Sequence, residues 1–97
     1  MNIDSEINAR IAIVVDKIST LSHEIVLYGS QVHNKSLSRD IDLFILADKE
    51  NKKSIYREIA NAQTHFNQVI HAVVINHEDL SVNQDIRVLH NNGEKVF

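Results

Sequence analysis

Residues 28–46 read YGSQVHNKSLSRDIDLFIL, with a Gly29-Ser30 pair closing one apolar run and Asp40-x-Asp42 opening the next. The run before it, Ile25, Val26, Leu27 and Tyr28, is short and apolar and reads as a buried strand ended by Gly29. The run after it, Ile41 to Leu46, reads as a second strand. Residues 29 to 39 are too few for a helical crossover of a dozen or more residues, so the two strands are expected to lie side by side and antiparallel. That arrangement brings Ser30 and Asp40 to the same end of one sheet. Residues two apart on a strand share a face, so Asp40 and Asp42 project together while Ile41, Leu43 and Ile45 point the other way. Beyond the pair, the carboxylate face turns apolar at Phe44 and Leu46, which sets the two acids at a rim.

The flanks supply the layer that such a sheet needs. From Asp4 to Leu21 the residues Ile7, Ile11, Val14, Ile18 and Leu21 recur at three- and four-residue steps, which predicts an amphipathic helix capped by Asp4 or Ser5. Ile55, Ile59 and Ala62 predict a second helix between Asp48 and Phe66. Val69 to Ile75 reads as a third buried strand. Ile86 and Leu89 predict a closing helix from Asp85 to Asn92 with Gly93 as its stop, and Val96 and Phe97 add an edge strand. The expected fold is α+β, a small mixed sheet flanked by helices, forming one domain over residues 1–97.

Composition narrows the function. The chain has 97 residues, 43% hydrophobic and 24% charged, with no cysteine, so it holds neither a disulfide framework nor a thiolate zinc site. Asp4, Glu6, Arg10, Asp16 and Lys17 interrupt any signal-peptide core, and a cytoplasmic location is the expectation. A net charge of −3 gives no general attraction to an anionic membrane or to nucleic acid, and neither is expected as a direct partner. Lys49, Lys52, Lys53 and Arg57 form a basic cluster that is either a solvated helix face or a contact for an acidic surface or RNA.

The acidic pair points to a cation. Two aspartates side by side repel, and Asp is disfavoured in strands, so the arrangement does little for stability. Magnesium takes a few carboxylate oxygens and completes its shell with water and phosphate oxygens, which two clustered aspartates suit. The alternative is a pair of solvated aspartates marking a turn. A glycine lets backbone approach a phosphate closely, and a following serine at a helix N-terminus adds donors for the same anion. For Gly29 and Ser30 the alternative is a plain turn with a helix cap.

The combination strand-Gly-Ser, a loop of about ten residues and Asp-x-Asp on a strand resembles the signature of nucleotidyltransferases related to DNA polymerase beta. The chain as a whole resembles a minimal nucleotidyltransferase, the small partner of the HEPN toxin in bacterial toxin-antitoxin pairs. The likeness runs through the leading helix, LYGS, DIDLFIL, the third strand and the ending RVLHNNGEKVF. It implies a polymerase beta-like fold, with Gly29 and Ser30 on the triphosphate and Asp40 and Asp42 on one or two Mg²⁺ ions. It also implies attack of an acceptor hydroxyl on the α-phosphate of ATP, with a tyrosine of the toxin as acceptor and pyrophosphate leaving.

The sequence departs from that pattern twice. QVHNKSLSR replaces the usual Ala-Arg-Gly-like stretch, leaving Lys35 or Arg39 as the substitute phosphate contact, or both as solvated cations. KSLSRDIDLFI also resembles the abortive-infection branch of the superfamily, whose members are much longer. The family's third carboxylate aligns with His71, which is then either a core histidine or a metal or substrate contact, with Mn²⁺ accepting its nitrogen more readily than Mg²⁺. His23, His33, His65, His77 and His90 show no zinc-ligand spacing. Two functions stand open: transfer of AMP to a cognate toxin, or stoichiometric inhibition by a binding antitoxin that keeps the fold.

Overall fold

The computed structural model describes residues 3–29, 31, 39–82 and 93–97. Helix α1 (Ile3–Ser19) leads into strand β1 (Glu24–Tyr28), followed by β2 (Ile41–Leu46) and a short 3₁₀ turn at Lys49–Asn51. Helix α2 (Lys52–Phe66), strand β3 (Ile70–Ile75), helix α3 (His77–Val82) and strand β4 (Glu94–Lys95) complete the described elements. They form a mixed sheet in the order β3-β2-β1-β4, the small α+β arrangement expected.

The β1–β2 pair is antiparallel, with Tyr28 opposite Asp42 and Val26 opposite Phe44. Strand β3 lies parallel to β2, and α2 supplies the crossover that a parallel pair requires. β4 joins the far side of β1, antiparallel, slightly ahead of the expected Val96–Phe97, whose backbone amides still bond to Ile25 O.

One face of the sheet carries the main core. Ile7, Ile11, Val14 and Ile18 of α1 and Ile55, Ile59 and Ala62 of α2 pack on Ile25, Leu27, Ile41, Leu43, Ile45, Ile70 and Val74. Each such side chain taken fully out of water contributes about 1.5–3 kcal/mol, so the helical spacing of these residues commits both helices to this face. α1 begins at Ile3, which places Asp4 and Ser5 inside its first turn rather than ahead of it as caps. It stops short of Leu21, where the Ser22 hydroxyl donates to Ile18 O at 2.7 Å and competes with continued helix. α2 ends on Asn67 in the left-handed region at φ 49°, with its amide donating to Gln63 O.

The opposite face is buried at its centre and exposed along β3. Val26, Phe44, Leu46 and Ile75 form a second small cluster there, joined by Tyr28 and by Leu80 of α3. Strand β3 is therefore not the buried strand expected from its apolar run. It lies at the edge of the described sheet, and its residues 71 and 73 face away from α1 and α2, with Val73 39% exposed. The expected helix over residues 85–92 lies outside the described residues. Helix α3 was not foreseen.

Candidate functional site

Strand register builds the site. Tyr28, Asp42 and His71 sit directly across from one another on β1, β2 and β3, forming one row on the face opposite the main core. The next row is apolar, Val26, Phe44 and Val73. Asp40 precedes β2 on the same side, and its Oδ2 lies 3.1 Å from His71 Nε2. The structure thus brings Asp40, Asp42 and His71 together at one end of that face. Asp40 and His71 are more than half exposed at their side chains, which rules out the core-histidine reading of His71.

Gly29 closes β1 beside this row. Its φ of +75° lies in the left-handed region that an L side chain occupies only with strain. A Cβ at this position would fall 2.5 Å from Asp42 Oδ2, so the absence of a side chain lets the Asp42 carboxylate lie against the backbone. The strand-Gly juncture is therefore built around Asp42. Ser30 and Lys35, expected at the phosphates, lie outside the described residues.

The electrostatics of the row centre on Asp42. Burial raises its carboxyl above the ordinary range, His71 pulls it down and Asp40 pushes it up again. Burial also raises the Tyr28 hydroxyl, with the charge of Asp42 adding to the rise. A cation at the rim would relieve the repulsion between the two aspartates. Among the described residues no group of three or more His, Cys, Asp or Glu side chains is placed to hold a metal ion. A divalent ion held by Asp40 and Asp42 would have to take the rest of its shell from water and phosphate oxygens. His71 is instead placed to bond Asp40.

Arg39 is exposed at the mouth of β2, and its backbone carbonyl accepts hydrogen bonds from Gln31 Nε2 at 2.9 Å and Gln68 Nε2 at 2.7 Å. These glutamines carried no signal in the sequence, because glutamine is ordinarily a surface residue. Asn76 did carry one: its Oδ1 accepts from the Asp79 amide at 2.9 Å, the side-chain cap that starts α3. At the other end of the strands, His23 Nε2 lies 2.8 Å from Asp48 Oδ1, and the His23 and His77 rings pack at 5.3 Å. Two clefts among the described residues are lined by neither Asp40 nor Asp42. One of about 470 Å³ opens between α1 and α2 beside Ile13, Lys17 and Phe66, and another of about 320 Å³ lies beside Asp48, Lys52 and Glu78. Among the described residues no helix is long and apolar enough to cross a membrane. Comparison of the chain with protein-family models, with curated proteins and with solved structures gives no match in any of the three.

Proposed function

We propose that the protein is a magnesium-dependent nucleotidyltransferase of the polymerase beta-like type, acting in the cytoplasm. It would transfer AMP from ATP to a tyrosine hydroxyl of a cognate HEPN toxin and so serve as the antitoxin. The observation that carries this reading is the setting of the aspartates: Asp40 and Asp42 share one end of the sheet beside His71, and Gly29 leaves the Asp42 carboxylate room that a side chain would take. Asp40 and Asp42 would hold the metal, which when bound neutralises phosphate charge. The backbone of Gly29, with Ser30 and Arg39, would supply the phosphate contacts that the sequence pattern offers. In the reaction the acceptor oxygen bonds to the α-phosphorus as the bond to the β-phosphate oxygen breaks. Pyrophosphate leaves with that electron pair, and the hydroxyl proton passes to solvent.

A second reading has its own support. His71 occupies the row where a third carboxylate would be expected, and it bonds Asp40 instead of completing an acidic trio. This favours a binding antitoxin that silences its partner without chemistry. The deciding experiment incubates the protein with α-labelled ATP, Mg²⁺ or Mn²⁺, and the small helical protein encoded beside it, if that protein carries an Arg-x4–6-His motif. Label on a tyrosine of the partner supports the enzyme. A silenced but unlabelled partner supports the binder.

A further inference from the structure

Only two polar side chains are buried among the described residues, Gln31 at 0% and Gln68 at 6% exposure, and both donate to one atom, the carbonyl oxygen of Arg39. A carbonyl has two lone pairs, and here two amides occupy both. The next residue in the chain is Asp40. A buried amide that lost its acceptor would be costly, so the contact holds this point of the backbone firmly.

The orientation of the Gln68 amide is set from outside. Arg10 can only donate, and its Nη1 lies 2.8 Å from Gln68 Oε1, so the oxygen faces Arg10 and the nitrogen faces Arg39. Arg10 is itself held by Glu6 at 3.2 Å, by the Phe66 carbonyl at 3.4 Å and by the Phe66 ring at 5.4 Å. Beside this point the Ile41 amide donates to Val69 O at 3.0 Å, joining β2 to the segment that carries Gln68. A third glutamine acts on the neighbouring strand, where Gln63 Oε1 accepts from the Ile70 amide at 2.8 Å, one residue before His71.

We infer that Gln68, oriented by Arg10, is a positioning residue that braces the mouth of β2 and so sets the Asp40 carboxylate against Asp42 and His71. This rests on the reading of Asp40 and Asp42 as metal ligands. The brace links the α1–α2 layer to the acidic rim on the other side of the sheet, through the end of the strand. It needs the donor of Gln68, not merely its bulk.

Gln68→Glu tests that distinction, because it keeps the size and the acceptor for Arg10 but removes the donor to Arg39. The comparison is a core variant of equal thermal stability, such as Ile59→Val, whose side chain makes none of the hydrogen bonds of the brace. The probe is Mn²⁺ alone, titrated by calorimetry well below the unfolding temperature. Gln68→Glu is expected to bind Mn²⁺ about 10-fold more weakly than wild type, the loss typical of a group that orients a ligand, while the core variant binds as wild type does. Wild-type affinity in Gln68→Glu would overturn the inference. If Gln68→Glu does not fold, Arg10→Met, which frees the amide to turn, must show a smaller loss in the same direction, and wild-type affinity there overturns the inference equally. Should wild type itself bind no Mn²⁺, the metal reading fails, and the brace is judged on hydrogen exchange of the Ile41 amide. Exchange faster in Gln68→Glu than in the matched core variant sustains the brace, and equal exchange overturns it.

Discussion

His71 Nε2 lies 3.1 Å from Asp40 Oδ2, across the seam where β3 runs parallel to β2. The contact joins the acidic mouth of β2 to an exposed edge strand, and under the proposed function it sets an imidazole at the position of the third acid. His71→Asp should therefore lower the melting temperature of the metal-free protein at neutral pH, since three carboxylates would then crowd one rim. Saturating Mg²⁺ should raise the melting temperature more in this variant than in wild type, because the ion binds the folded state alone. Differential scanning with chelator and with Mg²⁺ measures both effects. No larger gain with Mg²⁺ would show that His71 is not beside the ion.

The pH dependence of stability should carry the mark of Asp42. Burial, together with Asp40 and against His71, holds its folded carboxyl above the unfolded value. A raised carboxyl favours the folded state only while protonated. Its contribution is thus present in acid below the ordinary value and is lost as pH rises through the folded value. In metal-free protein, Asp42→Asn should be more stable than wild type at neutral pH, and the gap should close below about pH 4, where both side chains are uncharged. Urea unfolding across that range gives the comparison. A gap that does not change with pH would contradict the assignment.

Much of the fold was legible because burial follows periodicity. Ile7, Ile11, Val14 and Ile18 recur on one stripe of α1 and are all buried, as are Ile55, Ile59 and Ala62 on α2. The short connection after Gly29 was enough to make β1 and β2 antiparallel neighbours. The edge position of β3 was not legible, because an apolar run such as Val69 to Ile75 looks the same whether one face or two are covered. Exposure of Val73 and His71 depends on where α2 and α3 lie, which is a tertiary fact. Of the site, Asp40, Asp42 and Gly29 could be read from spacing. The row that joins Tyr28, Asp42 and His71 needed the strand register, and the glutamine brace needed coordinates.

Gly29 and Asp42 should be energetically coupled. Gly29→Ala places a side chain in the left-handed region, which costs about 1–2 kcal/mol, and its Cβ meets Asp42 Oδ2 as well. In an Asp42→Ala background the second part of that cost disappears. Gly29→Ala should therefore destabilise wild type more than it destabilises Asp42→Ala, by urea unfolding in a double-mutant cycle. Strict additivity would mean that the Asp42 side chain simply turns away.

Calorimetric titration of Mg·ATP reports whether Asp40 and Asp42 together hold a divalent ion that carries a nucleoside triphosphate, as proposed. Asp40→Asn, Asp42→Asn removes both charges without opening a cavity, so the double mutant should fold with a melting temperature equal to or above that of wild type. Wild type is expected to bind Mg·ATP, and to bind ATP more weakly in chelator, while the double mutant shows no Mg²⁺-dependent binding. Equal Mg·ATP binding by the two proteins, or none by a folded wild type, would contradict the account.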